Sequence, residues 1–155
     1  MNALAKTLWR LAPMHDAHLA QVMELEQLIY PFPWTEGIFR DCLKAGYASW
    51  VVHDGPGALR GYALMTMAVG EAHVLNLAVD PQYRRQGLGR YLLLHLLQQA
   101  RDAHCTLVLL EVRRSNKSAI RLYQGAGFRQ IGTRRNYYPG HAQREDAFVL
   151  ALDLD

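Results

Sequence analysis

A chain of 155 residues, half of them hydrophobic and a fifth charged, has no repeat, low-complexity tract or Pro/Gly/Ser-rich linker. That composition predicts one globular domain over residues 1–155 and excludes a disordered or fibrous protein. With a net charge of only +3, no apolar run near the roughly 20 residues that span a bilayer, and no signal-peptide pattern at the N-terminus, a cytoplasmic protein without a membrane partner is expected.

Thr7 to Leu11 reads as a first strand ended by Pro13. Asp16 stands where it could cap a helix whose apolar stripe runs Leu19, Val22, Met23, Leu25, Leu28 and Ile29 and stops before Pro31. After the proline-stiffened aromatic loop Tyr30-Pro-Phe-Pro-Trp34, Thr35 caps a second helix through Ile38, Phe39, Cys42 and Leu43, closed by Gly46. Residues 47–53 and 60–69 flank Asp54-Gly-Pro-Gly57 as a hairpin, and residues 73–79 add a third antiparallel strand. The period becomes helical at Leu88, Leu92, Leu93, Leu96 and Leu97 and ends near His104. Thr106 to Val112 is an almost continuous apolar run, as in a buried strand. This strand, helix, strand unit predicts a parallel pair joined by a right-handed crossover. A short helix from about Ser115 to Gln124, stopped by Gly125 and Gly127, and strands near residues 128–136 and 147–154 complete the set. The expectation is an α/β fold, a mixed sheet with helices on both faces.

Between the strand ending at Val79 and the helix starting near Leu88 lies a basic, glycine-bearing turn. A helix start leaves its first N–H groups unpaired and carries about half a positive charge, so it attracts anions. Gly87 and Gly89 let main chain approach a bulky diphosphate, and Arg84, Arg85 and Arg90 surround it with cations. A Walker loop is excluded, because Gly89 is followed by Arg90 and Tyr91 rather than Lys and Ser or Thr. A dinucleotide fingerprint lacks its third glycine, since Leu92 holds that place, although Glu111 could imitate its ribose-binding acid. Arg113, Arg114, Lys117, Arg121, Arg134 and Arg135 form a second basic group, suited to a cofactor phosphate or to a nearby nucleic acid.

Glu111 is a carboxylate inside Leu107-Val-Leu-Leu-Glu-Val112, where burial without a partner is costly. It either pairs with Arg113, Arg114 or Lys117 or serves as a general base. Tyr123, by helical spacing alone, is core packing. Tyr137 and Tyr138, fixed by Pro139 and Gly140, are either an exposed hairpin turn or one wall of a slot opposite Phe32 and Trp34. Cys42 and Cys105 stand alone as buried thiols do, and the seven histidines lack ligand spacing, so no metal is expected.

Pro31-Phe-Pro-Trp34, Asn76-Leu-Ala-Val-Asp-Pro81, Arg84-Arg-Gln-Gly-Leu-Gly-Arg90, Leu110-Glu-Val-Arg-Arg-Ser-Asn116, Leu122-Tyr123, Gly127-Phe128 and Arg135-Asn-Tyr-Tyr-Pro139 together resemble the bacterial ribosomal-protein-alanine N-acetyltransferases of the GNAT superfamily, the RimI type. The resemblance covers nearly the whole chain. It implies the acyl-CoA N-acyltransferase fold, with a mostly antiparallel sheet whose central parallel pair splays. It implies acetyl-CoA bound by Leu77, Ala78, Val79, Arg85, Gln86, Gly87, Leu88, Gly89, Arg90, Asn116 and Tyr123, with Leu77 and Val79 offering main-chain groups to the pantetheine. Glu111 would take the proton of the incoming amine, directly or through water, and Tyr123 would protonate the departing thiolate. Phe32, Trp34, Tyr137 and Tyr138 would hold the acceptor, the N-terminal alanine of a small-subunit ribosomal protein, with direct transfer in a ternary complex and no need to bind nucleic acid. An α-amine with pKa near 7.7–8 needs only one modest base, unlike a lysine near 10.4. A lysine or small-amine acetyltransferase would share the cofactor residues, while a dinucleotide-binding protein or an RNA-binding module would not use Glu111 in this way.

Overall fold

The strand and helix patterns resolve, in the computed structural model, over residues 9–155. The elements are β1 (Arg10–Pro13), α1 (Leu19–Ile29), α2 (Glu36–Lys44), β2 (Ala48–His53), β3 (Leu59–Ala68), β4 (Glu71–Val79), α3 (Leu88–Asp102), β5 (Leu107–Arg113), α4 (Lys117–Gly125), β6 (Arg129–Tyr138) and β7 (Glu145–Asp153). The strands form one seven-stranded sheet in the order β1-β2-β3-β4-β5-β7-β6. β4 and β5 are parallel, and β1–β2, β2–β3, β5–β7 and β6–β7 are antiparallel. This is the mixed, mostly antiparallel α/β sheet that the sequence predicts.

The chain folds as two compact units. The first holds the described residues through Thr66 together with Asn76–Leu96, and the second holds Met67–Leu75 and Leu97–Asp155. In the first, Leu19, Val22, Phe39, Val51, Tyr62, Leu64, Leu92 and Leu93 are all but inaccessible. These are the apolar faces of α1, α2, β2, β3 and the first half of α3, removed from water at about 25 cal/mol per Å². In the second, Leu97, Ala100, Val108, Leu110, Ala147, Leu150 and Ala151 do the same for the end of α3 and for β5 and β7.

Three expectations are corrected. Thr7 and Leu8 lie outside the described residues, and β1 runs on through Pro13. Asp16 is not a cap: it lies within a 3-10 turn, Asp16–His18, ahead of α1. His15 starts that turn, and its main-chain N–H donates to His18 Nδ1 at 2.9 Å. β5 is not buried on both faces. Val108, Leu110 and Val112 are buried, whereas Leu107, Leu109, Glu111 and Arg113 on the other face are only half-buried. The apolar composition of β5 conceals a face that remains reachable. The Thr35 cap stands as predicted, its Oγ1 accepting from Ile38 N at 3.2 Å, and Gly46 turns the chain after α2 at φ 74°.

Candidate active site

In the second unit, parallel pairing aligns His73 of β4 with Leu109 of β5. Glu111 stands two residues further along β5, on the same face. The Glu111 side chain is 9% exposed, and its Oε2 lies 2.9 Å from His73 Nε2. Oε1 lies 4.0 Å from Nε of Arg134 on β6. The His73 hydrogen bond holds Glu111 below the usual carboxylate range, against the upward push of burial, with further help from the charges of His73 and Arg134 and from a Tyr137 hydrogen bond. Glu111 is therefore ionised. Its ion-pair partners are His73 and Arg134, while Arg113, two residues along β5, reaches Pro139 and Glu145.

Arg113 Nη1 donates to Pro139 O at 2.8 Å and to Glu145 Oε1 at 3.1 Å, and its guanidinium lies 4.5 Å from the centre of the Tyr138 ring. It thus ties down the Tyr137-Tyr138-Pro139 segment. The β6–β7 register passes from Arg134↔Ala147 to Tyr138↔Glu145, so β6 bulges there and re-aims its side chains. Asn136 takes φ 50° within the bulge, its N–H donating to Asp146 Oδ1 at 2.9 Å, and Arg144 donates to the carbonyls of Asn136 and Tyr137. The rings of Tyr137 and Tyr138 meet edge-on at 5.0 Å, and Arg134 lies 5.4 Å over Tyr137. Burial first, then the Glu111 charge, pushes the Tyr138 hydroxyl up to about 12.

Tyr123 is buried in α4 against Phe128, ring centres 5.6 Å apart. Burial and the neighbouring Tyr138 push its pKa upward, so the phenol keeps its proton at every physiological pH. Asn116 caps α4, its side chain accepting from Ala119 N at 3.3 Å. The second unit therefore gathers Glu111, Tyr123, Tyr137 and Tyr138, together with Arg134 of the second basic group and His73, which reasoning from sequence did not select.

The first unit carries the basic turn. Arg85 adopts φ 64° and Gly87 φ 83°, and Tyr91 N donates to Gly87 O at 2.9 Å as the first hydrogen bond of α3. Left-handed backbone in a turn is one ingredient of the main-chain concavities that bind anions. That Arg85, not a glycine, takes this conformation marks strain where function commonly stores it. Gly89 lies within the first turn of α3 at ordinary helical geometry, so what it offers is the absence of a side chain. Arg84, Arg85 and Arg90 are exposed, Gln86 is half-exposed and Leu88 is buried at 1%, leaving only its main chain for a ligand. The turn is anchored from behind by Arg60, which pairs with Asp54 and Asp80 at 2.9 Å each and lies 4.3 Å over Tyr83. Leu77, Ala78 and Val79 end β4 beyond the stretch paired with β5, which covers Glu71–Val74.

Phe32 and Trp34 stand in the loop between α1 and α2. Trp34 N donates to Glu26 Oε2 at 2.9 Å, and its ring tilts against Phe39 at 5.0 Å. Glu26, 2% exposed, also accepts from Tyr62 Oη at 2.6 Å and from Asn76 Nδ2 at 3.0 Å. A carboxylate interrupting the α1 stripe was a signal of the same kind as Glu111. Cys42 and Cys105 are buried as expected.

The chain matches the model of the acetyltransferase (GNAT) family over residues 19–128. It is 37% identical over 144 residues to the ribosomal protein bS18-alanine N-acetyltransferase of Escherichia coli K12, covering 93% of this chain and 97% of that protein. It is 34% identical over 142 residues to the N-alpha-acetyltransferase RimI of Mycobacterium tuberculosis, covering 89% and 87%. The crystal structure of the ribosomal-protein-S18-alanine N-acetyltransferase from Escherichia coli superposes with TM-score 0.88 at 36% identity, covering 96% and 95% of the two chains. Arabidopsis thaliana NAA60, solved with acetyl-CoA, shares the fold at TM-score 0.85 and 20% identity, covering 95% and 99%. An ionised strand carboxylate, a protonated buried phenol and a basic turn with left-handed backbone at Arg85 and Gly87 are thus set in a chain that belongs to the acetyltransferase (GNAT) family.

Proposed function

We propose that the protein transfers the acetyl group of acetyl-CoA to the N-terminal alanine of a small-subunit ribosomal protein. The observation that carries this reading is the packing of the Tyr137-Tyr138 bulge against Glu111, which sets an aromatic wall beside an ionised carboxylate. The relatives named for this activity match nearly the full length of the chain. Acetyl-CoA fits the residues present: the Arg85–Gly87 turn, the start of the 15-residue helix α3 and three exposed arginines are cationic and donor-rich, as a diphosphate requires. Bound there, it would supply an activated acetyl thioester. Arg85, Gln86, Gly87, Leu88, Gly89 and Arg90 would hold its phosphates, and Leu77, Ala78 and Val79 its pantetheine by main-chain groups. Asn116, besides capping α4, and Tyr123 would meet the same ligand.

In this reading Glu111 serves the acceptor amine and Tyr123 the departing thiolate, to which a neutral phenol can donate. Phe32, Trp34, Tyr137 and Tyr138 bind the acceptor's first residues. No protein nucleophile takes part. The test is incubation with acetyl-CoA and two peptides, one starting with free alanine and one N-terminally blocked but containing lysine, read by mass. Acetylation confined to the free alanine terminus is the expected result. Preferential modification of the blocked peptide's lysine would replace this reading with that of a lysine acetyltransferase.

A further inference from the structure

We propose that Arg60 is a positioning residue for acetyl-CoA: it grips the chain just ahead of the basic turn and ties it to the β2–β3 hairpin. This rests on the reading of the basic turn as the site of the cofactor's diphosphate. Pro81–Tyr83 is a short 3-10 turn capped by Asp80. Asp80 Oδ1 accepts from Gln82 N at 3.0 Å, and its Oδ2 accepts from Arg60 Nη1 at 2.9 Å. At the other end of the same turn the Arg60 guanidinium lies 4.3 Å from the centre of the Tyr83 ring, one residue before Arg84. The main chain adds a bond, Asp80 N donating to Arg60 O at 2.8 Å. Asp54 divides its oxygens in the same way. Its Oδ1 accepts from Gly57 N at 2.9 Å and Ala58 N at 2.8 Å within the hairpin turn, and its Oδ2 accepts from Arg60 Nε at 2.9 Å. Each carboxylate thus keeps one oxygen for its own loop and gives the other to a single guanidinium.

Stability is a weak reason for such a cluster. Asp54 and Asp80 are 6% and 8% exposed, and buried ion pairs add little over an apolar set of the same volume. Burial pushes the Asp54 carboxyl up, but the Arg60 hydrogen bond and two backbone N–H groups bring it below its ordinary value, so it is charged. What the cluster supplies is fixed geometry, because a planar guanidinium meets its acceptors only in set directions. The residues that follow require it, with Arg85 at φ 64° and Gly87 at φ 83°. A left-handed residue other than glycine persists only where its surroundings over-determine it. Arg60 fixes the chain as far as Tyr83, two residues before Arg85. The donors of the basic turn are then in place before the ligand arrives, and binding does not have to order them.

The deciding variants are Asp80→Asn and Asp54→Asn. In each, the amide oxygen keeps the contacts within its own loop while the amide nitrogen faces Arg60 and breaks the ion pair. Each should raise the acetyl-CoA Kd in titration calorimetry by about 10-fold, the scale on which outer contacts hold a binding group in place. The kcat at saturating acetyl-CoA and the KM for an alanine-start peptide should match wild type. Should either variant fail to fold, the triple variant Arg60→Met, Asp54→Asn, Asp80→Asn leaves no charge in the cluster. It should keep the wild-type melting temperature and bind acetyl-CoA as weakly. Wild-type acetyl-CoA affinity in a folded variant, a rise in peptide KM equal to that in acetyl-CoA Kd, or a triple variant that does not fold would overturn the positioning role. Each of these leaves the transferase reading standing. A wild-type protein that does not bind acetyl-CoA would overturn both.

Discussion

Two carboxylates with opposite settings show how single residues divide the work. Glu111 faces His73 and Arg134 on a half-buried strand face, whereas Glu26 is enclosed among three neutral donors. Glu111→Gln removes the carboxylate that serves the acceptor amine, so turnover should drop about 10²-fold with acetyl-CoA affinity retained, as measured by steady-state kinetics and calorimetric titration. Tyr123→Phe should lower turnover on a similar scale, and its loss should persist at high pH because a proton donor is missing. Glu26→Gln must turn an amide N–H toward a donor, Trp34 N, Tyr62 Oη or Asn76 Nδ2. It should cost about 1–3 kcal/mol by denaturant unfolding and raise peptide KM more than acetyl-CoA KM, because the Phe32–Trp34 loop loses its anchor.

At the scale of elements, the two glycines of the basic turn supply different things. Gly87 sits at φ 83° at the entry to α3, so Gly87→Val is strained as well as bulky. Gly89 is ordinary helix, and Gly89→Val adds only bulk where the ligand would approach. Both should weaken acetyl-CoA binding in titration calorimetry, with Gly87→Val also lowering the melting temperature more. Gly61 in β3 lies where a Cβ would come within 2.9 Å of the Ala78 carbonyl of β4 and 3.2 Å of Leu92 and Val52. Gly61→Ala therefore presses on main chain that cannot yield cheaply and should destabilise the fold by about 1–3 kcal/mol in a denaturant titration. In the second unit the bulge in β6 plays the corresponding part: two extra residues between Arg134 and Tyr138 distort a sheet-edge strand, and the distortion is held by Arg113, Arg144 and Asp146.

At the scale of the whole molecule, stability should fall in acid in two stages. His95 touches Trp50 at 4.3 Å and has a buried Nε2 without a hydrogen-bond partner, and burial lowers its pKa. Burial and the charges of His53 and His15 likewise lower that of His18. Below about pH 6.5 the unfolded chain protonates these imidazoles before the folded one does, so stability present above that pH declines as pH falls. Glu111 is held low by its His73 hydrogen bond, Glu145 by that of Ser115, and Asp54 by Arg60 and two backbone N–H groups despite burial. Their contribution is present above about pH 4.5 and is lost on descent through their depressed folded values. Urea unfolding from pH 8 to 3 should show both stages, and His95→Leu should flatten the upper one.

The linear order of residues determined the elements, because period, caps and glycine stops are local: α2 under Thr35, α3 with its leucine stripe, and the basic turn before it were all legible, as was Glu111 as a carboxylate out of place. What touches Glu111 was not. That depends on the parallel register that sets His73 opposite Leu109, across 36 residues of chain, and on a bulge in β6 set by its pairing with β7. Asp16 failed as a cap for a nearer reason, since His15 and His18 formed a turn first. Likewise Arg113, beside Glu111 in sequence, was drawn to Glu145 and Pro139, because tertiary pairing and not adjacency decides which charge neutralises which.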